Sequence, residues 1–514
     1  MTAERESGRL RQRAAAVELA PDDFRRIGHG LVDQLADFLA GLRSRPVTPG
    51  ETPAAVRAAI SSERPLPETG TDPAPLAAAA ADLIFAHSLF NGHPRFLGYV
   101  TSSAMPIGAF GDFIAAAVNC NVGAWKLAPV ASEIEAQTIR WIAEFIGYPA
   151  DGGGLLVSGG NMANIVAFLA ARAAKAGAAV RTSGVRAMSA PLRCYCSTET
   201  HTWIQKAADL SGLGTDSIRW IPCDRQRRID VAQLRAQVRR DREHGDRPFL
   251  VAGNAGAVST GAVDPLPELA ALCHEEGLWF HVDGAYGGLA AGAAGAPDDL
   301  KGIALADSVA VDPHKWLYTP LEAGCVLVRR TQDLVNAFSY HPPYYRFDTD
   351  AINYFDLGPQ NSRAFRALKI WLAFQQAGRA GFLETIADDI ALAEEAFRLF
   401  HEHPDFEAAT QNLSICTFRY VPSELRPGMG QPETEAVLNR LNETLQAEVD
   451  AGGGAFLSNA VIDGKYLLRM CIVNFRTSLE DIEFLPGHIA AAGARIWQAM
   501  RTQESPQSAG VVRA

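Results

Sequence analysis

Over residues 21–42 the apolar side chains Phe24, Ile27, Leu31, Val32, Leu35, Phe38 and Leu39 recur three and four apart, the spacing of one helical face. A lone amphipathic helix of this kind must dock on another surface. Pro- and Gly-rich stretches at 46–53 and 65–75 then break the chain, and a second helical region runs through 76–89. Together these segments predict an N-terminal helical arm over residues 1–97.

Ser132 followed by Glu135 has the form of a capping box and predicts the start of a helix through Ile134, Trp141 and Phe145, ending near Gly147 and Pro149. Beyond it, short apolar runs at 155–157, 194–197, 249–252, 278–283, 308–312 and 325–328 alternate with helix-like segments. That alternation predicts an α/β domain with a mostly parallel sheet over 98–376. From Tyr340 to Asn361 the chain is rich in Pro, Tyr and Asp and has no period, a loop longer than compact domains carry without a function. From about Ala377 long amphipathic helices and strands near 414–420 and 466–473 predict a smaller C-terminal α+β domain over 377–503, with a disordered tail at 504–514.

Composition narrows the class. The formal net charge of −11 disfavours non-specific nucleic-acid binding, since a phosphate backbone is gripped by clustered Lys and Arg. The basic residues at 225–228 and 239–240 lie among acids and read as solvated faces. Eight cysteines show no Cys-x-x-Cys pairing and no disulfide framework, which predicts reduced thiols. The N-terminus has no apolar core of a leader and no apolar run is long enough to cross a bilayer, so the cytoplasm is the expected location. No metal site and no membrane partner are implied.

Three stretches carry candidate chemistry. Asp312-Pro313-His314-Lys315-Trp316 places a lysine just beyond an apolar strand, where ligands bind in open α/β sheets and where an amine can form an imine with an aldehyde cofactor. Taken alone, it reads as a surface lysine. His281-Val282-Asp283-Gly284-Ala285-Tyr286 ends another apolar strand; an Asp there can pair a protonated pyridine nitrogen, and a small Ala285 lets a ring lie flat. Its plainer reading is a carboxylate capping the next turn. Ser158-Gly159-Gly160-Asn161 joins a strand to a helix, and free N–H groups at a helix start can hold a phosphate, although a plain tight turn explains the glycines equally well.

In this order, and with Phe24-Arg25-Arg26, His93-Pro94-Arg95-Phe96 and Phe365-Arg366-Ala367-Leu368-Lys369-Ile370-Trp371, the chain resembles the pyridoxal-phosphate-dependent group II decarboxylases of the aromatic L-amino acid decarboxylase family. The resemblance implies the pyridoxal-phosphate-dependent transferase fold, aspartate aminotransferase-like, and pyridoxal 5'-phosphate as cofactor. It makes Lys315 the Schiff-base lysine, Asp283 the partner of the ring nitrogen, Ala285 the residue beneath the ring and His201 the imidazole stacked above it. Gly160 and Asn161 match the phosphate turn, and Asp312 and His314 lie where the family also approaches the phosphate. It further implies a homodimer whose long loop closes over the neighbouring subunit's site. Counting back from Phe365 puts Tyr354 at the loop tip as proton donor, with Tyr340, Tyr344 and Tyr345 as alternatives.

The implied reaction is decarboxylation of an L-amino acid to an amine and carbon dioxide. An aromatic substrate (tryptophan, tyrosine, dopa or phenylalanine) is favoured, with Tyr99 and Trp125 as candidate pocket surfaces. Ala257 and Val258 replace threonines common near the cofactor in aromatic members, so hydrogen bonds expected there fall to Ser259 or Thr260 or are missing. Alternatives are a glutamate- or diaminobutyrate-type decarboxylase and decarboxylation-dependent oxidative deamination to an aldehyde. Aminotransfer needs a carboxylate-binding arginine that the motifs do not locate, and a catalytically silent protein on the same fold needs a lost Lys or Asp.

Overall fold

The structure is a computed structural model that describes residues 7–8, 10–11, 13, 15–177, 179–341 and 351–504. The expected tail therefore lies almost wholly outside the described residues. Two compact units divide the chain: Met1–Phe90 with Asp450–Gly454, and Asn91–Val449 with Ala455–Ala514.

The first unit holds the helices Pro21–Gly41, Pro53–Ala59 and Pro73–His87, each opened by a proline whose missing N–H costs nothing there. Thr52 and Asp72 cap the second and third through bonds from Ala55 N and Ala74 N. Phe38 of the first helix stacks on Phe85 of the third at 4.4 Å. None of the first helix's residues is buried, and Phe24, Val32 and Leu35 stay about half exposed.

The second unit is built on strands β1 (Gly153–Val157), β2 (Leu192–Ser197), β3 (Ile218–Ile221), β4 (Arg247–Asn254), β5 (Trp279–Asp283), β6 (Ser308–Val311) and β7 (Gly324–Val328). They form one sheet in the order β1-β7-β6-β5-β4-β2-β3. Neighbours from β6 to β3 run parallel, while β7 is antiparallel to both β1 and β6. Leu155, Leu156 and Val157, or Val309, Ala310 and Val311, are buried in succession because helices cover both faces, which is why these strands read as unbroken apolar runs. β3 escapes the pattern: it is four residues at the sheet edge, with Arg219 and Trp220 between its buried isoleucines.

Four further strands, β8 (Phe406–Asn412), β9 (Ile415–Tyr420), β10 (Ser458–Ile462) and β11 (Lys465–Cys471), make an antiparallel sheet in the order β10-β11-β9-β8. The helix Ala367–Glu402 leads to it and breaks its own backbone at Gly378 (φ 64°, ψ 174°), close to where the sequence pattern changes. The expected capping box is a correction. The helix starts at Pro129, so Ser132 lies within its first turns, and the buried Glu135 pairs with Arg363 instead of closing on a cap.

Candidate active site

Strand ends on the central sheet build the site. One cavity is lined by Tyr99, Val100, Gly160, Asn161, Asn164, His201, Gly256, Val258, Asp283, Ala285, Tyr286, Asp312, Lys315 and Arg469. Most of these lie just past the carboxyl ends of β1, β2, β4, β5 and β6, the position where parallel sheets bind ligands.

Lys315 follows β6 by one turn, with its backbone N–H bonded to Asp312 O at 2.9 Å. Its Nζ stands 3.0 Å from Asp312 Oδ2, and His314 Nε2 lies 3.7 Å from the same oxygen. Asp312 Oδ1 is buried and bonds no described group. His314 does not line the cavity; its Nδ1 sits 2.6 Å from Ala323 O, and burial lowers its pKa. Across from them Gly159 (φ +145°) opens the helix Gly160–Ala176 without a side-chain cap, which leaves the first N–H groups of that helix unspent. A Cβ on Gly160 would come 2.6 Å from Asp312 Oδ2 and 2.8 Å from the Ala285 methyl, so only glycine keeps this wall open.

Asp283 ends β5, and Ala285 N–H donates to its Oδ1 at 3.2 Å. His201 faces the same cavity. Burial lowers its pKa against the pull of Asp283, and its Nδ1 accepts from Trp203 N–H at 3.3 Å, so a neutral ring carries its proton on Nε2. The turn before it is pinned by Asn254 Nδ2, which donates to Ser197 Oγ and Thr200 Oγ1 at 3.0 and 3.1 Å. Thr260 spends its hydroxyl within its own turn, accepting from Ala262 N–H, and Val258 takes an apolar place in the cavity wall.

Arg469 is the site residue that motif reasoning missed. It lies within β11, almost fully buried, and is held by Ser458 Oγ at 2.9 Å, Val258 O and Gly98 O. These bonds use three of its five N–H donors, and no carboxylate pairs with it among the described residues. Burial lowers its pKa, its three hydrogen bonds go to neutral acceptors only, and the cavity is the direction from which an anion can reach it. A lone arginine in the otherwise apolar run from Tyr466 to Cys471 was the available signal.

Two expected positions differ. Tyr354 is not at a loop tip: it is 1% exposed, in a short 3-10 turn Tyr354–Asp356, with Arg363 Cζ 4.7 Å from its ring centre. Arg363 and Glu135 form a buried ion pair that also holds Leu156 O, Leu156 N and Val122 O, and the Tyr354 ring shields it from water. A ring so placed does not line this cavity and is enclosed within its own subunit. Tyr340 is described and exposed, with Arg181 4.4 Å from its ring, while Tyr344 and Tyr345 lie outside the described residues. Trp125 also stands apart from the cavity, its Nε1–H donating to Glu133 at 2.8 Å, whereas Tyr99 lines the cavity and remains exposed.

The arrangement fits a phosphorylated pyridine aldehyde. An amine for the aldehyde, a carboxylate for the ring nitrogen, an imidazole and a methyl for the two ring faces, and an uncapped helix start for the phosphate share one cavity, and the orphaned Asp312 oxygen has an acceptor still to use. Residues 67–421 match the family model described as the pyridoxal-dependent decarboxylase conserved domain. The chain is 35% identical over 472 residues to the aromatic-L-amino-acid decarboxylase of Bacillus atrophaeus, covering 91% of this chain and 94% of that one. It is 32% identical to the tyrosine decarboxylase of Oryza sativa subsp. japonica, covering 89% and 88%. The solved structure of Oryza sativa TDC with PLP and tryptamine superposes with a TM-score of 0.85 at 26% identity, over 94% of this chain and 100% of that one. The cavity and these similarities agree, and the chain belongs to the pyridoxal-dependent decarboxylase family as an amino acid decarboxylase that uses pyridoxal 5'-phosphate.

Proposed function

We propose that the chain decarboxylates an aromatic L-amino acid to its amine, working as a homodimer in the cytoplasm. The observation that carries this reading is the meeting of Lys315, Asp283 and the unpaired Arg469 in one cavity whose remaining wall includes Tyr99, Val100, Val258 and Tyr286. When bound, the cofactor supplies an electron sink for the pair left behind by departing carbon dioxide. Lys315 would hold the cofactor through its side-chain amine, which stays within the cavity for product release. Asp283 keeps the ring nitrogen protonated, and His201 and Ala285 hold the ring between them. Gly160, Asn161 and the helix start seat the phosphate, with Asp312 steering Lys315 and His314 bracing the turn.

Arg469 receives the substrate carboxylate on its two spare N–H groups, fixing which bond faces the ring plane. Tyr99 and Tyr286 offer ring surfaces to an aromatic side chain. Because Tyr354 is spent on the Arg363–Glu135 pair, the proton donor is sought among Tyr340, Tyr344 and Tyr345.

Support for the dimer comes from the helix Pro106–Val118, whose Phe110, Ile114 and Val118 are about half exposed or more and call for a covering surface. Support for a reducing compartment comes from all eight cysteines being unpaired. No helix among the described residues is long and apolar enough to cross a membrane.

The test is to incubate the cofactor-loaded protein with a panel of L-amino acids while following carbon dioxide, amine, aldehyde and peroxide. Equal carbon dioxide and amine from an aromatic acid supports the proposal. Aldehyde with peroxide, or turnover confined to glutamate or diaminobutyrate, overturns it.

A further inference from the structure

Asn164 stands one turn into the helix Gly160–Ala176, 2% exposed, and lines the cavity with Asp283. Its Oδ1 meets His281 Nε2 at 2.7 Å, and His281 Nδ1 meets Ser308 Oγ at 2.8 Å. Ser308 Oγ also accepts from Trp279 Nε1–H at 2.8 Å. The directions of these bonds follow from Asn164 presenting its oxygen to His281. A carboxamide oxygen only accepts, so His281 Nε2 carries the proton. The ring is fully enclosed, and burial depresses its pKa to about 4, so it is neutral and Nδ1 is a bare acceptor. Ser308 O–H therefore donates to Nδ1, and the indole, which has no acceptor, donates to Ser308.

Every member of this relay is satisfied in one sense, and that sense turns the carboxamide so that its oxygen faces inward. Asn164 Nδ2 bonds no described residue. His281 precedes Asp283 by two positions on β5, so both project from the same face of the sheet, and Asn164 lies against that face. The family chemistry does not use Trp279, Ser308, His281 or Asn164 directly, yet three buried polar groups are spent on orienting one amide.

We infer that Asn164 is a positioning residue whose unspent N–H2 group faces the Asp283 end of the cavity and takes up that carboxylate when the ring nitrogen is bound there. The inference rests on Asp283 being that partner. With the donor removed, the carboxylate competes harder for the ring-nitrogen proton, the ring withdraws electrons less, and the nitrogen joined to Lys315 becomes more basic.

The discriminating variant is Asn164→Leu, which removes the donor without adding charge; Asn164→Asp keeps an oxygen facing His281 and exchanges the N–H2 for a charged oxygen. Ser308→Ala breaks the relay away from the cavity. In the cofactor-loaded proteins, the pH midpoint of the cofactor's visible absorbance should rise in all three, least in Ser308→Ala. The cofactor dissociation constant should rise about tenfold in both Asn164 variants, the scale of one hydrogen bond to a charged group. Turnover should fall through kcat with KM little changed. An absorbance midpoint that stays fixed in the Asn164 variants while Asp283→Asn shifts it overturns the inference, even if the melting temperature drops. A midpoint indifferent to Asp283→Asn as well sinks the assignment of Asp283 itself.

Discussion

The two sheets of the second unit contribute to the site in different ways. The central sheet supplies groups from the turns just past its strands: Gly160 after β1, His201 after β2, Asp283 at the end of β5, Lys315 after β6. The antiparallel sheet supplies Arg469 from within a strand, anchored by Ser458 of the neighbouring strand β10. Strand-end turns carry residue patterns, because tight geometry and ligand contact constrain several adjacent positions together. A mid-strand residue obeys only the alternation of its strand, and its role emerges from what the fold brings over it.

Substitutions can break or sharpen this contrast. Replacing Lys315 with Ala removes the amine proposed to hold the cofactor, and turnover should drop about a thousandfold or more, with loss of the bound cofactor's pH-dependent absorbance. Arg469→Met should lower kcat/KM by about ten- to a hundredfold while leaving cofactor affinity unchanged, the outcome of losing a charged hydrogen-bond pair to substrate alone. If Arg469→Met weakens the cofactor instead, the antiparallel sheet serves the cofactor and the contrast between the sheets fails.

A smaller effect concerns the seam between the sheets. Asp389, on the helix leading to the antiparallel sheet, accepts from Trp316 Nε1 at 3.0 Å and Tyr318 OH at 2.8 Å, the first of them the residue that follows Lys315. Burial raises its pKa to about 7, against hydrogen bonds that lower it. Between its ordinary value and 7 the folded state binds more protons than the unfolded, so this group's contribution to stability falls as pH rises through that window and is level above it. Asp389→Asn lacks that proton. Melting temperatures measured from pH 5 to pH 8 should show the wild type losing ground to the variant as pH rises; a constant difference would mean Asp389 does not titrate there.

The smallest effect is expected of Tyr354→Phe. Its ring contact with Arg363 survives, so activity should stay within about twofold of wild type and stability should change little. A large loss of turnover with unchanged stability would return Tyr354 to the catalytic role first expected of it.

Much of the fold was legible because helices on both faces of the central sheet force its strands to be apolar throughout, and such runs stand out between helical stretches. β3 was not, since Arg219 and Trp220 interrupt a four-residue edge strand. β8, with the sequence Phe-Glu-Ala-Ala-Thr-Gln-Asn, has no clean alternation, because most of its residues are only partly covered. Within the site, Lys315, Asp283 and Gly160 were readable from motifs at strand ends. Tyr354 was misplaced because counting from Phe365 measures chain length and takes no account of the buried Arg363–Glu135 pair that draws the ring inward. Ser132 and Glu135 mimicked a capping box for a related reason: the glutamate's partner is remote in sequence and visible only once the chain is folded.

Every role proposed for this cavity depends on Lys315 being the residue that bonds the cofactor. Reducing the pyridoxal-phosphate-loaded protein with borohydride and mapping the modified peptide by mass spectrometry tests this directly. A phosphopyridoxyl group on Lys315 in near-stoichiometric amount, absent when Lys315 is replaced, is the expected result; stable labelling of another lysine, with Lys315 unmodified, would refute the assignment.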